Sequence, residues 1–172
     1  MREEFYRVEH DFATHRRMLW HALEMTCGDV VECGMGHGST SILHTYCINK
    51  GRMLYSYEAS QEWVGEFSHL IGDAHIITHV TSWDDTPPQG RYAVALVDHD
   101  ASLRRGEDAI RLGSMCDIVV LHDVEPWNDM LYGASKALRH FKYVSIDTAK
   151  MFDHVFWTAM LSNTIDVSRV KV

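Results

Sequence analysis

The sequence predicts an open α/β sheet, mostly parallel, with helices on both faces and an antiparallel last strand in a C-terminal hairpin. Three observations carry this reading. Short apolar runs alternate with stretches of helical spacing through five units. Polar residues in unusual places (Glu32, Glu58, Ser82-Trp83-Asp84, Asp98-His99, His122-Asp123) all fall at the ends of such runs. That edge is where open sheets bind ligands. Finally, Thr148 to Asp153 is short enough to join the last two apolar runs as a hairpin.

Residues 4–26 carry an apolar stripe (Phe5, Val8, Phe12, Leu19, Leu23) of roughly 3.6-residue period, which predicts one helix ended by Gly28-Asp29. Val30 to Cys33 is the first strand, short and apolar as a central parallel strand should be. A helix follows from Ser39 to about Asn49, with Gly51 stopping it. Arg52 to Tyr57 is the second strand. Ser60 is a suitable N-cap for a helix to about Ile71, whose inner face is Trp63, Val64, Phe67 and Leu70. His75 to Val80 is the third strand, and Asp84 to Gly90 is a loop, since two prolines and a glycine exclude regular structure. Tyr92 to Val97 (YAVALV) is the fourth strand, 102–114 a helix, Ile118 to Leu121 the fifth strand and 128–140 a helix. Lys142 to Asp147 and Val155 to Ser162 complete the sheet. No repeat or linker divides the chain, so it is expected to be a single domain, 1–172, with an N-terminal helix in 1–27 and a core from 28 to 172.

The composition is that of an ordinary globular protein, 46% hydrophobic and 23% charged. A formal net charge of -8 gives no global attraction to nucleic acid or anionic membrane, so neither is expected as a partner. The basic clusters His15-Arg16-Arg17 and Arg104-Arg105 read as solvated faces. The four cysteines show no CxxC pairing, which fits reduced thiols in a cytoplasmic compartment. No run reaches the about 18 apolar residues of a membrane span, and the charged N-terminus lacks a signal-peptide core.

The chemistry begins at Glu32-Cys-Gly34-Met-Gly36-His-Gly38-Ser39-Thr40. A strand turning sharply into a helix gathers backbone N–H groups and the positive helix end in one crevice. The glycines are spaced wrongly for a G-x-G-x-x-G dinucleotide loop, and Glu32 would repel a pyrophosphate while suiting a cationic group. From these residues to about residue 162 the chain resembles the class I S-adenosylmethionine-dependent methyltransferases, whose fold is Rossmann-like with an antiparallel hairpin strand. The resemblance implies S-adenosylmethionine held by Glu32, Gly34, Gly36, Gly38, Ser39 and Thr40. It makes Glu58, followed by Ala59, the acid that binds the ribose hydroxyls. Ser82 and Trp83 would then frame the adenine, and Asp98 would reach the methionine part.

Val97-Asp98-His99 and Leu121-His122-Asp123-Val124 are similar to segments of small-molecule O-methyltransferases of the macrocin and catechol types. In the catechol type, carboxylates at these places hold one divalent cation. The resemblance therefore implies Mg²⁺ or another divalent ion on Asp98 and Asp123, joined by His122. Val124 stands where those enzymes carry an amide ligand, and Ala101 where they carry a lysine base. Without a metal, Asp98 would contact the cofactor and His99 or His122 would serve as base, since either can titrate near neutral pH. The expected activity is methyl transfer to an oxygen or other nucleophile of a small-molecule acceptor, in a monomer or a homo-oligomer. The alternatives are a protein of this fold that cleaves the cofactor and a non-catalytic binding module. The lid over the acceptor is short, with Tyr6, Trp20, Trp127 and Tyr132 available to line it.

Overall fold

The protein is described here by a computed structural model that covers residues 1–6, 13–84, 86–100, 103–151 and 153–171. Its strands are β1 (Val30–Cys33), β2 (Leu54–Glu58), β3 (His75–His79), β4 (Tyr92–Val97), β5 (Cys116–His122), β6 (Tyr143–Met151) and β7 (His154–Ser162). They form one sheet in the order β3-β2-β1-β4-β5-β7-β6. The first five pair in parallel, and β7 runs antiparallel to both β5 and β6. The open sheet with its antiparallel C-terminal hairpin is thus as the sequence implies. The order reverses beside β1 and β4, so the carboxyl ends of those strands flank the crevice where such folds bind ligands.

Every residue of β4 is buried, because helices cover both faces. On one face α2 (Arg16–Glu24) and α3 (Thr40–Lys50) pack Met18, Leu19, Leu23, Leu43 and Tyr46 against Val94, Leu96, Ile118 and Val120. On the other, α5 (Arg105–Leu112) and α7 (Ala134–His140) cover Val31, Cys33, Val97 and Leu121 with Leu112, Ala137 and Phe141. Each fully buried Leu or Val contributes roughly 1.5–3 kcal/mol of transfer free energy. α4 (Gln61–Phe67) is started by Ser60, whose hydroxyl accepts the Trp63 N–H, and α3 is stopped by Gly51 at φ 64°.

Three expectations need correction. The helix read over 4–26 is not continuous. α1 is Arg2–Tyr6, residues 7–12 lie outside the described residues, and Ala13 to His15 form a turn before α2. Thr14 and His15 are buried there, and the Arg16 guanidinium donates to the Gly38 and His37 carbonyls. Polar anchoring of this kind leaves no mark in an apolar period. The helix read over 128–140 is broken at Gly133 (φ 65°), which separates α6 (Asp129–Tyr132) from α7. The chain crosses so close to α5 here that a Cβ on Gly106 would lie 2.0 Å from the Gly133 carbonyl oxygen. Lastly, the hairpin strands run further than expected, pairing to Met151 opposite His154 and absorbing most of the connection.

Candidate functional site

A cavity of about 440 Å³ opens at the carboxyl ends of β1, β2, β4 and β5, within the size range of small-molecule sites. Gly34, Gly36, Gly38, Ser39, Glu58, Asp98, His99, His122 and Asp123 all border it, so most of the residues picked from the sequence converge. Glu32, Thr40, Ala59, Ser82 and Trp83 are not part of its wall.

The β1–α3 loop owes its shape to two glycines with different tasks. Gly34 sits at φ 97°, and a Cβ there would lie 2.5 Å from the His99 backbone nitrogen, so only glycine lets the loop cross the end of β4. Gly36 has nothing within 4 Å of its Cβ position, leaving open space beside the loop. Glu32 lies beneath the loop, completely buried. Its carboxylate accepts from Ser39 (2.5 Å), Thr40 (3.1 Å) and Ser56 (2.6 Å), and Thr40 Oγ1 in turn accepts the Gly36 N–H. Burial pushes the Glu32 carboxyl up to about 7, with the three hydroxyl bonds offsetting part of the rise. Glu32 and Thr40 therefore hold the loop from below, and their side chains are spent on its interior rather than on the cavity.

Glu58 accepts the Met35 N–H at 2.8 Å and the Ser60 N–H at 2.7 Å, one on each oxygen. A carboxylate has about four acceptor positions, so roughly two are left for a ligand. Ala59 beside it is exposed. The expected adenine frame is arranged differently. Trp83 is buried and stacked on His99, with centroids 4.3 Å apart, and Ser82 bonds Asp84 at the surface. The aromatic side chains that do border the cavity on the Glu58 side are His37 and Trp63, packed edge to face at 5.1 Å.

His99, expected as a possible base, is likewise engaged within the protein. Its ring stacks on Trp83 and its Nε2 lies 3.0 Å from the buried Asp108 carboxylate, which ties β4 to α5. These contacts hold the ring in the core, at the edge of the cavity.

The opposite end of the cavity is polar. Asp98 Oδ1 lies 3.0 Å from His122 Nδ1, and His122 Nε2 lies 2.8 Å from Thr14 Oγ1. Burial alone would lower the His122 pKa, but the Asp98 carboxylate outweighs it and raises the value. For Asp98 burial works upward, and the His122 and Arg105 charges prevail to hold it well below the usual range. His15 is 1% exposed and packs edge-on against His122 with centroids 4.9 Å apart. Burial, helped by the His122 charge, pushes it down to about 3.

Arg105 also lies under this floor and is buried, contrary to the solvated face expected of Arg104-Arg105. One terminal nitrogen is 2.8 Å from Asp123 Oδ2 and 3.1 Å from Asp98 Oδ1. The Nε donates to the His99 carbonyl, and the guanidinium lies 3.9 Å above the Tyr132 ring. Asp123 reaches it from a left-handed backbone turn at φ 57°. The implied metal arrangement on Asp98, Asp123 and His122 does not fit, because the space between the two carboxylates belongs to a guanidinium. Of the aromatic residues considered for a lid, Tyr132 borders the cavity, Trp20 packs on Tyr46, Trp127 is exposed beside Trp157, and the Tyr6 side chain lies outside the described residues. Sequence reasoning missed His15, Thr14, Arg105 and Trp63. The only signal for the first three was charge and polarity within stretches read as ordinary helix.

No protein-family model matches the chain, and no curated protein is similar to it in sequence. Solved structures do share its fold. A human methyltransferase 10 domain containing protein superposes with a TM-score of 0.60 at 11% identity, over 89% of this chain and 83% of that one. The precorrin-6y C5,15-methyltransferase of Geobacter metallireducens gives 0.60 at 11%, over 86% and 89%. The human Mettl16 catalytic domain, in complex with the MAT2A 3′UTR hairpin 1, gives 0.58 at 11%, over 88% and 69%. At such identities the likeness establishes a Rossmann-like methyltransferase fold. It also overturns the expectation of a small-molecule acceptor with no nucleic acid, since a neighbour of this fold is bound to a nucleic-acid hairpin. The expectation failed because net charge is a global sum, whereas binding depends on local surface. Among the described residues no helix is long and apolar enough to cross a membrane.

Proposed function

We propose that the chain is an S-adenosylmethionine-dependent methyltransferase whose cofactor occupies the cavity between the glycine loop and Glu58. One observation carries this. The Gly34–Ser39 loop, the Glu58 carboxylate and the Asp98 carboxylate, distant in sequence, border a single cavity at the reversal point of the sheet. When bound, the cofactor supplies a methyl group activated by a sulfonium. The open space beside Gly36 suits close approach to the backbone, and the spare acceptor positions of Glu58 suit a pair of hydroxyls. The four acidic groups in the wall, Glu58, Asp98, Asp100 and Asp123, suit a ligand of net positive charge better than a pyrophosphate.

Methyl transfer demands mainly positioning of the nucleophile and removal of its proton. Asp98, His122 and the Arg105–Asp123 pair make a polar, largely buried floor where a nucleophile can be oriented. That floor is the proposed reacting end, and Asp98 joins it to the cofactor half.

Calorimetry with S-adenosylmethionine, S-adenosylhomocysteine and NAD tests the reading. The first two should bind and NAD should not. Glu58→Gln keeps the shape of the side chain but removes its charge and one acceptor oxygen. Its affinity should fall by about 10-fold or more, corresponding to loss of a charged hydrogen bond of roughly 1.5–3 kcal/mol. Absence of S-adenosylmethionine binding to the wild-type protein would defeat the proposal.

A further inference from the structure

We propose that His15, Asp98 and His122 form a mononuclear site for a divalent transition metal, with Zn²⁺ as its best match, at the floor of the cavity. The donor atoms of these three side chains lie within 4.8 Å of one another, and all three residues border the cavity. Two of them come from strand ends, while His15 comes from the turn that precedes α2.

The strongest indication is His15 itself. It is 1% exposed, yet neither ring nitrogen has a hydrogen-bond partner among the described residues. A buried imidazole left without a partner costs free energy that a core residue would not. Its Nδ1 points toward Asp98 Oδ2 at 3.6 Å, too long for a hydrogen bond. An ion with bonds of about 2.1 Å needs donors roughly 3.4 Å apart in a tetrahedral site, so small side-chain rotations close this one.

The surroundings of the other two ligands agree. A metal-bound histidine almost always donates its second ring N–H to a fixed acceptor. With Nδ1 of His122 turned to the ion, its Nε2 is already 2.8 Å from Thr14 Oγ1. Asp98 can give Oδ2 to the ion while Oδ1 stays 3.1 Å from Arg105. The local charge also favours a cation, since Asp98 and Asp123 face the single guanidinium of Arg105. Two imidazoles with one carboxylate are a donor set for Zn²⁺, Fe²⁺ or Co²⁺ rather than for Mg²⁺, which prefers oxygen. Three protein ligands leave a coordination position open on the cavity side, the pattern of catalytic rather than structural metal sites.

The existence of the site does not depend on the methyltransferase reading, but its use does. There the ion would lower the pKa of a hydroxyl or water bound at the open position, so that the proton leaves to solvent.

The test is titration of the chelator-treated protein with Zn²⁺ alone and with Co²⁺ as a spectroscopic probe. One ion per chain is expected, with Co²⁺ bands of low coordination number. His15→Ala and His15→Gln should each weaken Zn²⁺ binding by at least about 100-fold. That exceeds the roughly 10–100-fold typical of losing an outer partner, which is the loss expected for Thr14→Val. His44→Ala, in the separate His44–His75 pair, and Asp123→Asn should both retain the ion. No ion bound by the wild-type protein, or binding unchanged in both folded His15 variants, overturns the proposal. So does loss in Asp123→Asn with retention in the His15 variants. Calorimetry with S-adenosylmethionine on the same metal-free samples keeps the two proposals apart, because cofactor affinity reports on Glu58 and the glycine loop whether or not a metal binds.

Discussion

The two ends of the cavity are built in different ways. The proposed cofactor end comes from one loop and the strand beside it. Gly34 to Thr40 are consecutive, and Glu58 closes the pair by holding the Met35 N–H. The proposed reacting end is assembled from four places: the turn at Thr14-His15, the end of β4, the start of α5 and the end of β5. A contiguous loop can be inherited as a motif and read as one. A floor joined only by tertiary contacts depends on the whole fold and stands or falls with a few shared groups.

Arg105 is the most exacting of those groups, and its loss should give the largest effect. It is 5% exposed and bridges Asp98 to Asp123. Arg105→Ala leaves two part-buried carboxylates facing each other without a cation, which costs about 3–5 kcal/mol. The urea midpoint should fall by more than about 1 M at ordinary m-values. If the midpoint barely moves, the reacting end is not held together by this residue and the contrast with the loop weakens. Adding Asp123→Asn to Arg105→Ala should recover part of the loss, as expected of coupled partners.

Glu32 gives the corresponding test beneath the loop, through pH. Its carboxyl is raised by burial from 4.5 to about 7. The folded state therefore holds the proton more tightly than the unfolded one. Glu32 contributes its full stability below pH 4.5 and loses it as pH rises toward 7. Glu32→Gln has no such titration. It still offers one oxygen to Ser39 and Thr40, and Ser56 can donate instead to His75 Nε2, 2.9 Å away. The variant should gain on the wild type across that window, by up to about 3 kcal/mol above pH 7. Melting curves from pH 4 to 8 would show the gap opening with pH; a gap of constant size would contradict the assignment.

These two residues also show what could be read before the fold was known. Glu32 was legible because strand, acid and alternating glycines are adjacent, although its task proved to be inside the protein. The mostly parallel sheet and its antiparallel hairpin followed from apolar runs and one short connection, whereas the strand order came only with the fold. Arg105 and His15 were not legible. Each lies in a basic cluster, where exposure is the usual outcome, and each is buried by partners 6 to 107 positions away that no local period reveals. Trp83 and His99 misled for the opposite reason. A tryptophan and a histidine at strand ends look available to a ligand, yet here they stack on each other.

The smallest expected effect separates the two kinds of contact around Arg105. Tyr132 places the centre of its ring 3.9 Å from the guanidinium carbon. Tyr132→Leu keeps an apolar cover while removing the aromatic face, and leaves both carboxylate bonds of Arg105 in place. The cation–π contribution lost is about 0.5–2 kcal/mol, below the cost of losing the guanidinium itself. Stability should fall by that amount, and affinity for S-adenosylmethionine should change less than in Glu58→Gln, since Tyr132 belongs to the reacting end. A loss as large as that of Arg105→Ala would mean that the aromatic cover, rather than the ion pairs, holds the floor. An equal loss of cofactor affinity in both variants would mean that the two ends of the cavity are one binding unit.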